Sequence, residues 1–253
     1  MRRTLRAGLK TIVLVPAFFL VTIALAALVL TLAWRDADDP RIERVIQWWS
    51  ERFLALAPVD SVVHGAEKID PERRYVFVAN HLSNFDIPLL LRAIPERVRF
   101  LAKKELYKIP VFGQAMDKVG IVKIDRTRAM TAHEAINAAA REVLGRGYSL
   151  IVFPEGTRSR TGEMQRFKKG AFRIAIDNQV PIVPVVLEGT QDVWPPGAKV
   201  FYPGSASVTI LDPIETTGRA GNVDIGELTE LTRARMLEVY EQQRSRRRRP
   251  SVR

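Results

Sequence analysis

Tyr75-Val76-Phe77-Val78-Ala79-Asn80-His81-Leu82-Ser83-Asn84-Phe85-Asp86 passes from an apolar run straight into a polar turn. Val76, Phe77 and Val78 are contiguous rather than alternating, as in a strand covered on both faces. Leu150-Ile151-Val152 has the same character. Working outward, the pattern predicts further strands at Arg99–Ala102, Ile121–Ile124, Ile182–Leu187 and Ser207–Leu211. Helical spacing falls between them, at Ile87–Arg92, Ala129–Leu144, Lys169–Asp177 and Ile225–Gln243. Such alternation implies an α/β domain with a mixed, largely parallel sheet flanked by helices. Pro195-Pro196-Gly197 and residues 216–222 read as its long surface loops.

The polar turn carries the candidate chemistry. On a regular helix, five positions would rotate His81 and Asp86 about 140° apart, so they meet only across a strand-to-helix turn. Asp86 suits a helix N-cap, and Pro88 is tolerated in the first turn because its missing N–H would be unpaired there anyway. In that geometry the carboxylate holds one imidazole nitrogen and leaves the other to accept a proton from a hydroxyl. The plainer alternative is that Asp86 only caps the helix and His81 is a satisfied turn residue. Phe153-Pro154-Glu155-Gly156-Thr157-Arg158-Ser159 ends a second buried strand. Its Gly156 permits close backbone approach, and its Arg158 offers a planar fork for an oxyanion. Asp125-Arg126 follows a third strand, while Lys168 and Lys169 could cap carbonyls, face solvent or meet the same anion. Open α/β sheets bind ligands outside the carboxyl ends of their strands, so His81, Arg126 and Arg158 can share one crevice.

Composition excludes several alternatives. The 253 residues contain no cysteine, which rules out disulfides, a thiolate nucleophile and Cys-ligated metals. Of the three histidines, His133 opens His-Glu-Ala-Ile-Asn, which lacks the second histidine of a zinc-protease helix. The net charge of +11 is concentrated at the ends: four basic residues among the first ten and six among the last ten account for all but one of it. A near-neutral body offers no extended basic face, which weighs against a membrane-tethered nucleic-acid or scaffold protein working through Arg244–Arg249. A basic end beside an apolar segment is better suited to anionic lipid headgroups, although a solvated tail also fits residues 244–253.

That apolar segment is Thr11–Trp34, 24 residues without a charge and long enough to cross a hydrocarbon core. Ala33-Trp34-Arg35 is a poor cleavage site, so the segment reads as an anchor rather than a removed leader. Next, Ile42, Val45, Ile46, Trp49, Phe53 and Leu56 recur at helical spacing. This second helix either lies at a membrane interface or packs on the main domain; the residues leave both open. The positive-inside rule places Arg2–Lys10 in the cytoplasm, and a single straight span would then carry the rest outside. Pro16 and the amphipathic helix permit a hairpin in one leaflet instead. The organisation expected is a membrane anchor over 1–58, a catalytic α/β domain over 59–243 and a basic tail over 244–253.

Asn80–Asp86 resembles the His-x4-Asp block of the glycerolipid acyltransferase family. Gly120–Arg126, Phe153–Ser159 and Val180–Pro184 resemble its other three blocks in order, and Phe167–Phe172 its continuation of the third. The resemblance covers about residues 60 to 215. Within the family, the chain is most similar to short bacterial-type 1-acylglycerol-3-phosphate acyltransferases. The resemblance implies that His81 is the general base and Asp86 its orienting carboxylate. Arg126, Glu155, Gly156, Thr157 and Arg158 then bind the acceptor's phosphate or shape its site. Lys103 is a candidate to join them, not distinguished from Lys104, and Glu155 is expected to brace its loop and pair with a neighbouring base. The implied reaction moves an acyl group from acyl-CoA or acyl-carrier protein to the free hydroxyl of lysophosphatidic acid; another lysolipid acceptor is the alternative. A thioester is already activated, so neither a cofactor nor a covalent intermediate is expected, consistent with the lack of a Gly-x-Ser-x-Gly elbow. The implied partners are membrane lipids, lysophosphatidic acid and the thioester carrier, with no nucleic acid. Both donors are cytoplasmic, which favours the hairpin and a domain on the cytoplasmic face of the inner membrane.

Overall fold

The computed structural model describes residues 2–56, 59–124, 131–198 and 200–248. Seven strands form one sheet: β1 (Val59–His64), β2 (Val76–Ala79), β3 (Val98–Lys103), β4 (Val122–Ile124), β5 (Ser149–Val152), β6 (Ile182–Glu188) and β7 (Gly204–Ile210). Their order is β1-β7-β6-β2-β5-β3-β4. Every pairing is parallel except β6 with β7, so the sheet is mixed and largely parallel. β2, β5 and β6 are buried along their whole length, which explains their contiguous apolar residues. β1 was not among the strands expected from sequence. It is an edge strand that alternates half-buried with exposed residues, and Asp60, Ser61 and His64 mask its apolar pattern.

The eight helices are α1 (Arg2–Arg35), α2 (Pro40–Leu54), α3 (Asp86–Ala93), α4 (Phe112–Lys118), α5 (Thr131–Gly145), α6 (Gly170–Asp177), α7 (Thr190–Val193) and α8 (Gly221–Arg248). Alternate residues of each central strand feed opposite faces. Val76, Val78, Leu150 and Val152 pack beneath α5, α6 and α8, where Ala140, Phe172, Leu228 and Met236 are buried. Phe77, Ala79 and Ile151 meet Leu89 and Leu90 of α3 on the other face. α8 runs past residue 243 into the basic end, and Arg247 pairs with Glu188 and Asp192, each at 3.0 Å.

α1 and α2 form a helical hairpin. Its second arm starts cleanly because Asp39 accepts the N–H of Arg41 at 2.8 Å and Pro40 occupies the first turn. Trp49 Nε1 donates to Thr22 Oγ1 at 2.9 Å between the arms. The open question about α2 resolves toward the domain: Ser50 Oγ donates to Pro88 O at 2.5 Å. Phe53 lies with Phe85, Trp194 and Phe201 at centroid distances of 5.9–6.0 Å. α1 packs on α2 and α4 yet leaves Phe19, Leu20 and Trp34 exposed, Trp34 by 83%. Among the described residues, Pro16–Arg35 is the one helical segment long and apolar enough to cross a membrane, with a mean hydropathy of 2.5.

Candidate active site

β2 ends at Ala79, and Asn80 replaces the missing ladder with its side chain. Its Nδ2 donates to Leu187 O at 2.8 Å and its Oδ1 accepts from Leu187 N at 2.7 Å. The chain then turns through 81–85 into α3, whose first residue is Asp86. Phe85 holds the N-cap position, so Asp86 is not the cap. Its carboxylate instead reaches back across the turn. Oδ2 accepts from His81 Nδ1 at 2.7 Å, Leu82 N at 2.7 Å and Ser83 N at 2.8 Å. Oδ1 accepts from Thr190 Oγ1 at 2.5 Å. These donors offset the cost of burying the charge completely. A carboxylate at Nδ1 fixes that nitrogen as the donor and leaves His81 Nε2 unprotonated. The imidazole stacks on Phe153 with centroids 3.9 Å apart, and the His81 side chain is 16% exposed.

The loop after β5 clamps the His81 backbone from both sides. Glu155 Oε1 accepts from His81 N at 2.8 Å, and Ser159 N donates to His81 O at 2.8 Å. Glu155 Oε2 accepts from Gln165 N at 3.0 Å. Its hydrogen-bond partners are therefore backbone amides, not the basic side chain expected from sequence. Burial pushes the Glu155 carboxyl up to about 7, while the amides of His81 and Gln165 pull the other way. Gly156 adopts φ +73°, and a Cβ there would sit 2.8 Å from Lys168 Nζ. Only glycine lets that ammonium lie so close over the loop. Lys169 turns away toward Gly226 of α8. Thr157 is exposed and Arg158 half-buried.

The sheet order places the ends of β2, β5, β3 and β4 in a row. Lys103, the exposed last residue of β3, pairs in register with Ile124 of β4. It stands two strands from β2, about 10 Å away. Arg126 lies outside the described residues. His81, Asp86, Glu155 and Gly156 thus form one tight unit, with Lys103 farther along the same edge. Thr190 and Lys168 complete the unit and were not singled out as site residues. Thr190 follows the end of β6, another parallel strand, and the strand-end rule that led to His81 also points to it.

A His-Asp pair with a free ring nitrogen, beside a glycine loop under a lysine, suits proton removal from a hydroxyl next to an anion. Comparison with known proteins agrees. The acyltransferase family model matches residues 60–188. The chain belongs to the acyltransferase family. It is 36% identical over 178 residues to human 1-acyl-sn-glycerol-3-phosphate acyltransferase alpha, covering 70% of this chain and 62% of that protein. The Saccharomyces cerevisiae 1-acyl-sn-glycerol-3-phosphate acyltransferase is 37% identical over 207 residues, covering 79% and 68%. The crystal structure of the 1-acyl-sn-glycerophosphate (LPA) acyltransferase PlsC from Thermotoga maritima superposes with a TM-score of 0.78 at 30% identity. That alignment covers 96% of this acyltransferase and 98% of the Thermotoga chain, so the helical hairpin falls within the shared architecture.

Proposed function

We propose that this acyltransferase moves a fatty acyl group from acyl-CoA or acyl-carrier protein to the free sn-2 hydroxyl of lysophosphatidic acid, giving phosphatidic acid. The observation that carries the reading is the His81–Asp86 pair, with Nδ1 held at 2.7 Å and Nε2 left to accept a proton. The acceptor hydroxyl loses its proton to Nε2 as its oxygen attacks the thioester carbonyl. Asp86 stabilises the imidazolium that forms. Collapse of the tetrahedral intermediate expels the thiolate, which takes the proton from His81. Positioned base catalysis of this kind contributes about 10²–10⁴-fold. Arg126, Arg158, Lys103 and Lys168 supply charge for the acceptor's phosphate, with Gly156 and Thr157 shaping the loop and Glu155 bracing it. No cofactor takes part.

The exposed apolar face of α1 supports membrane attachment through residues 1–58. In this reading the hairpin enters one leaflet of the inner membrane and domain 59–243 stays on the cytoplasmic face, where both donors are found. The basic residues of 244–253 contribute headgroup contacts.

The test is acyl transfer from labelled acyl-CoA to lysophosphatidic acid by membranes carrying the wild type or His81→Ala. Product should vanish in the variant while protein level and membrane attachment persist. Equal activity in both would remove His81 from the mechanism. Product from a different lysolipid, and none from lysophosphatidic acid, would reassign the acceptor.

A further inference from the structure

A cleft of about 560 Å³ opens beside the His81–Asp86 pair, between the loop at 159–162, α7, the prolines at 195–196 and the end of α8. Two of its lining residues sit directly behind the pair. Ser159 donates its N–H to His81 O, and Gln191 follows Thr190, whose hydroxyl bonds Asp86. Both carry a buried polar atom without a hydrogen-bond partner, Ser159 Oγ and Gln191 Oε1, and Ser159 is only 2% exposed. Buried polar groups without partners are rare in folded proteins, and two in one cleft call for a ligand that supplies them.

The charges in the cleft are arranged for an anion with an amide-bearing stem. Glu188 and Asp192 are each taken up by Arg247. Arg160 and Arg244 then remain to set the sign of the cleft. Arg244 is held over the Tyr240 ring at 5.4 Å, and Tyr240 OH donates to Gly162 O, fixing the loop to α8. The position matters as much as the charge. Lys103 and the Gly156 loop follow β3 and β5 on one side of β2, whereas Glu188, Gln191 and Asp192 follow β6 on the other. A base serving two phosphate-bearing substrates needs an anion site on each side of it.

We infer that this cleft receives the phosphopantetheine arm of the acyl donor, an inference that rests on the thioester-dependent reaction proposed above. Ser159 and Gln191 meet the arm's amide groups, Arg160 and Arg244 meet its phosphate, and the sulfur is delivered beside His81. CoA and acyl-carrier protein share this arm, so the cleft serves either source.

The test is equilibrium binding of S-hexadecyl-CoA, a thioether that cannot transfer its chain, to the full-length protein in detergent. Arg160→Ala with Arg244→Ala should weaken binding about tenfold, the loss expected for one charge-assisted contact. Free 4′-phosphopantetheine should compete, and acyl-carrier protein carrying the same thioether should lose affinity in the same variant. Ser159→Ala and Gln191→Ala should weaken donor binding without lowering the melting temperature, since each removes an atom that is unpaired in the free protein. Lysophosphatidic acid binding should stay within about twofold in all of them. Wild-type binding that survives every substitution overturns this inference and leaves the reaction standing. Weakened lysophosphatidic acid binding instead, or competition by inorganic phosphate as strong as by phosphopantetheine, also overturns it. A wild type that binds neither thioether overturns the thioester reaction as well.

Discussion

Each edge of the sheet carries a carboxylate gripped by several donors and a buried carboxyl pushed up to about 7. At the C-terminal edge these are Asp86 and Glu155; at the N-terminal edge they are Asp38 and Glu96. Asp38, in the α1–α2 turn, accepts from Arg146 Nη2 at 2.8 Å and Tyr148 OH at 2.7 Å. The hydrogen bond from Arg146 holds its carboxyl below the usual range against the opposing effect of burial. Glu96 takes the Ser149 hydroxyl at the start of β5, and burial raises it as burial raises Glu155 beyond the end of the same strand. A displaced pKa therefore does not distinguish a site from a joint. The partners do. At the N-terminal edge they are arginines and a tyrosine that fasten the hairpin to β3 and β5. At the C-terminal edge they are backbone amides and one histidine with a nitrogen to spare.

Substitutions that preserve shape test this contrast most sharply. In Asp86→Asn the remaining oxygen can still accept from Leu82, Ser83 and His81, while Nδ2 donates to Thr190 Oγ1. Geometry survives and the charge does not, so the turnover rate should fall about 10²–10⁴-fold. Asp38→Asn should leave the rate within about twofold and cost about 1 kcal/mol or less, because its partners are partly solvated. A large rate loss in Asp38→Asn, read by steady-state kinetics beside a melting curve, would break the division between the edges. Glu155→Gln comes next. Both oxygens accept backbone N–H groups, so the new amide must face one donor with another. A stability loss of about 1–3 kcal/mol and a rate loss of about 10–100-fold follow, visible in denaturant titration and in turnover. Thr190→Val removes one of the four bonds to Asp86 and should slow turnover about tenfold without changing the acceptor's KM.

Much of this was legible along the chain, for identifiable reasons. Val76–Val78 and Leu150–Val152 announce a two-sided parallel sheet because burial on both faces leaves no polar position between them. His81 and Asp86 were readable because only a strand-to-helix turn lets them meet. β1 was hidden by Asp60, Ser61 and His64 on an edge where one face needs no apolar residue. Thr190 was hidden for a different reason: it lies 104 positions from Asp86, and one hydroxyl beyond a strand end has no pattern of its own. Glu155 was recognised as a brace, but its partners could not be, since a backbone amide looks the same in every residue. The same holds for Ser159 and Gln191, whose missing partners appear only once the chain is folded.

The smallest effect separates the two buried carboxyls by pH. An unfolded glutamate titrates near 4.5, and both Glu96 and Glu155 titrate near 7 in the folded protein. Between those values the folded state holds more protons than the unfolded one, so stability falls as pH rises from about 4.5 to about 7. Asp38 acts in the opposite sense. Its lowered value gives stability that is present above the ordinary 3.8 and is lost as pH falls through the folded value. Glu96→Gln should therefore flatten part of the decline between pH 4.5 and 7 while leaving turnover within about twofold, because nothing at the His81 end of β5 depends on it. Glu155→Gln should flatten the decline too, but from a lower starting stability and with the rate loss described above. Melting temperatures across that pH range for the three proteins are the measurement. An unflattened decline in Glu96→Gln would mean that the N-terminal carboxyl stays ionised in its pocket and that the likeness between the two edges is only one of burial.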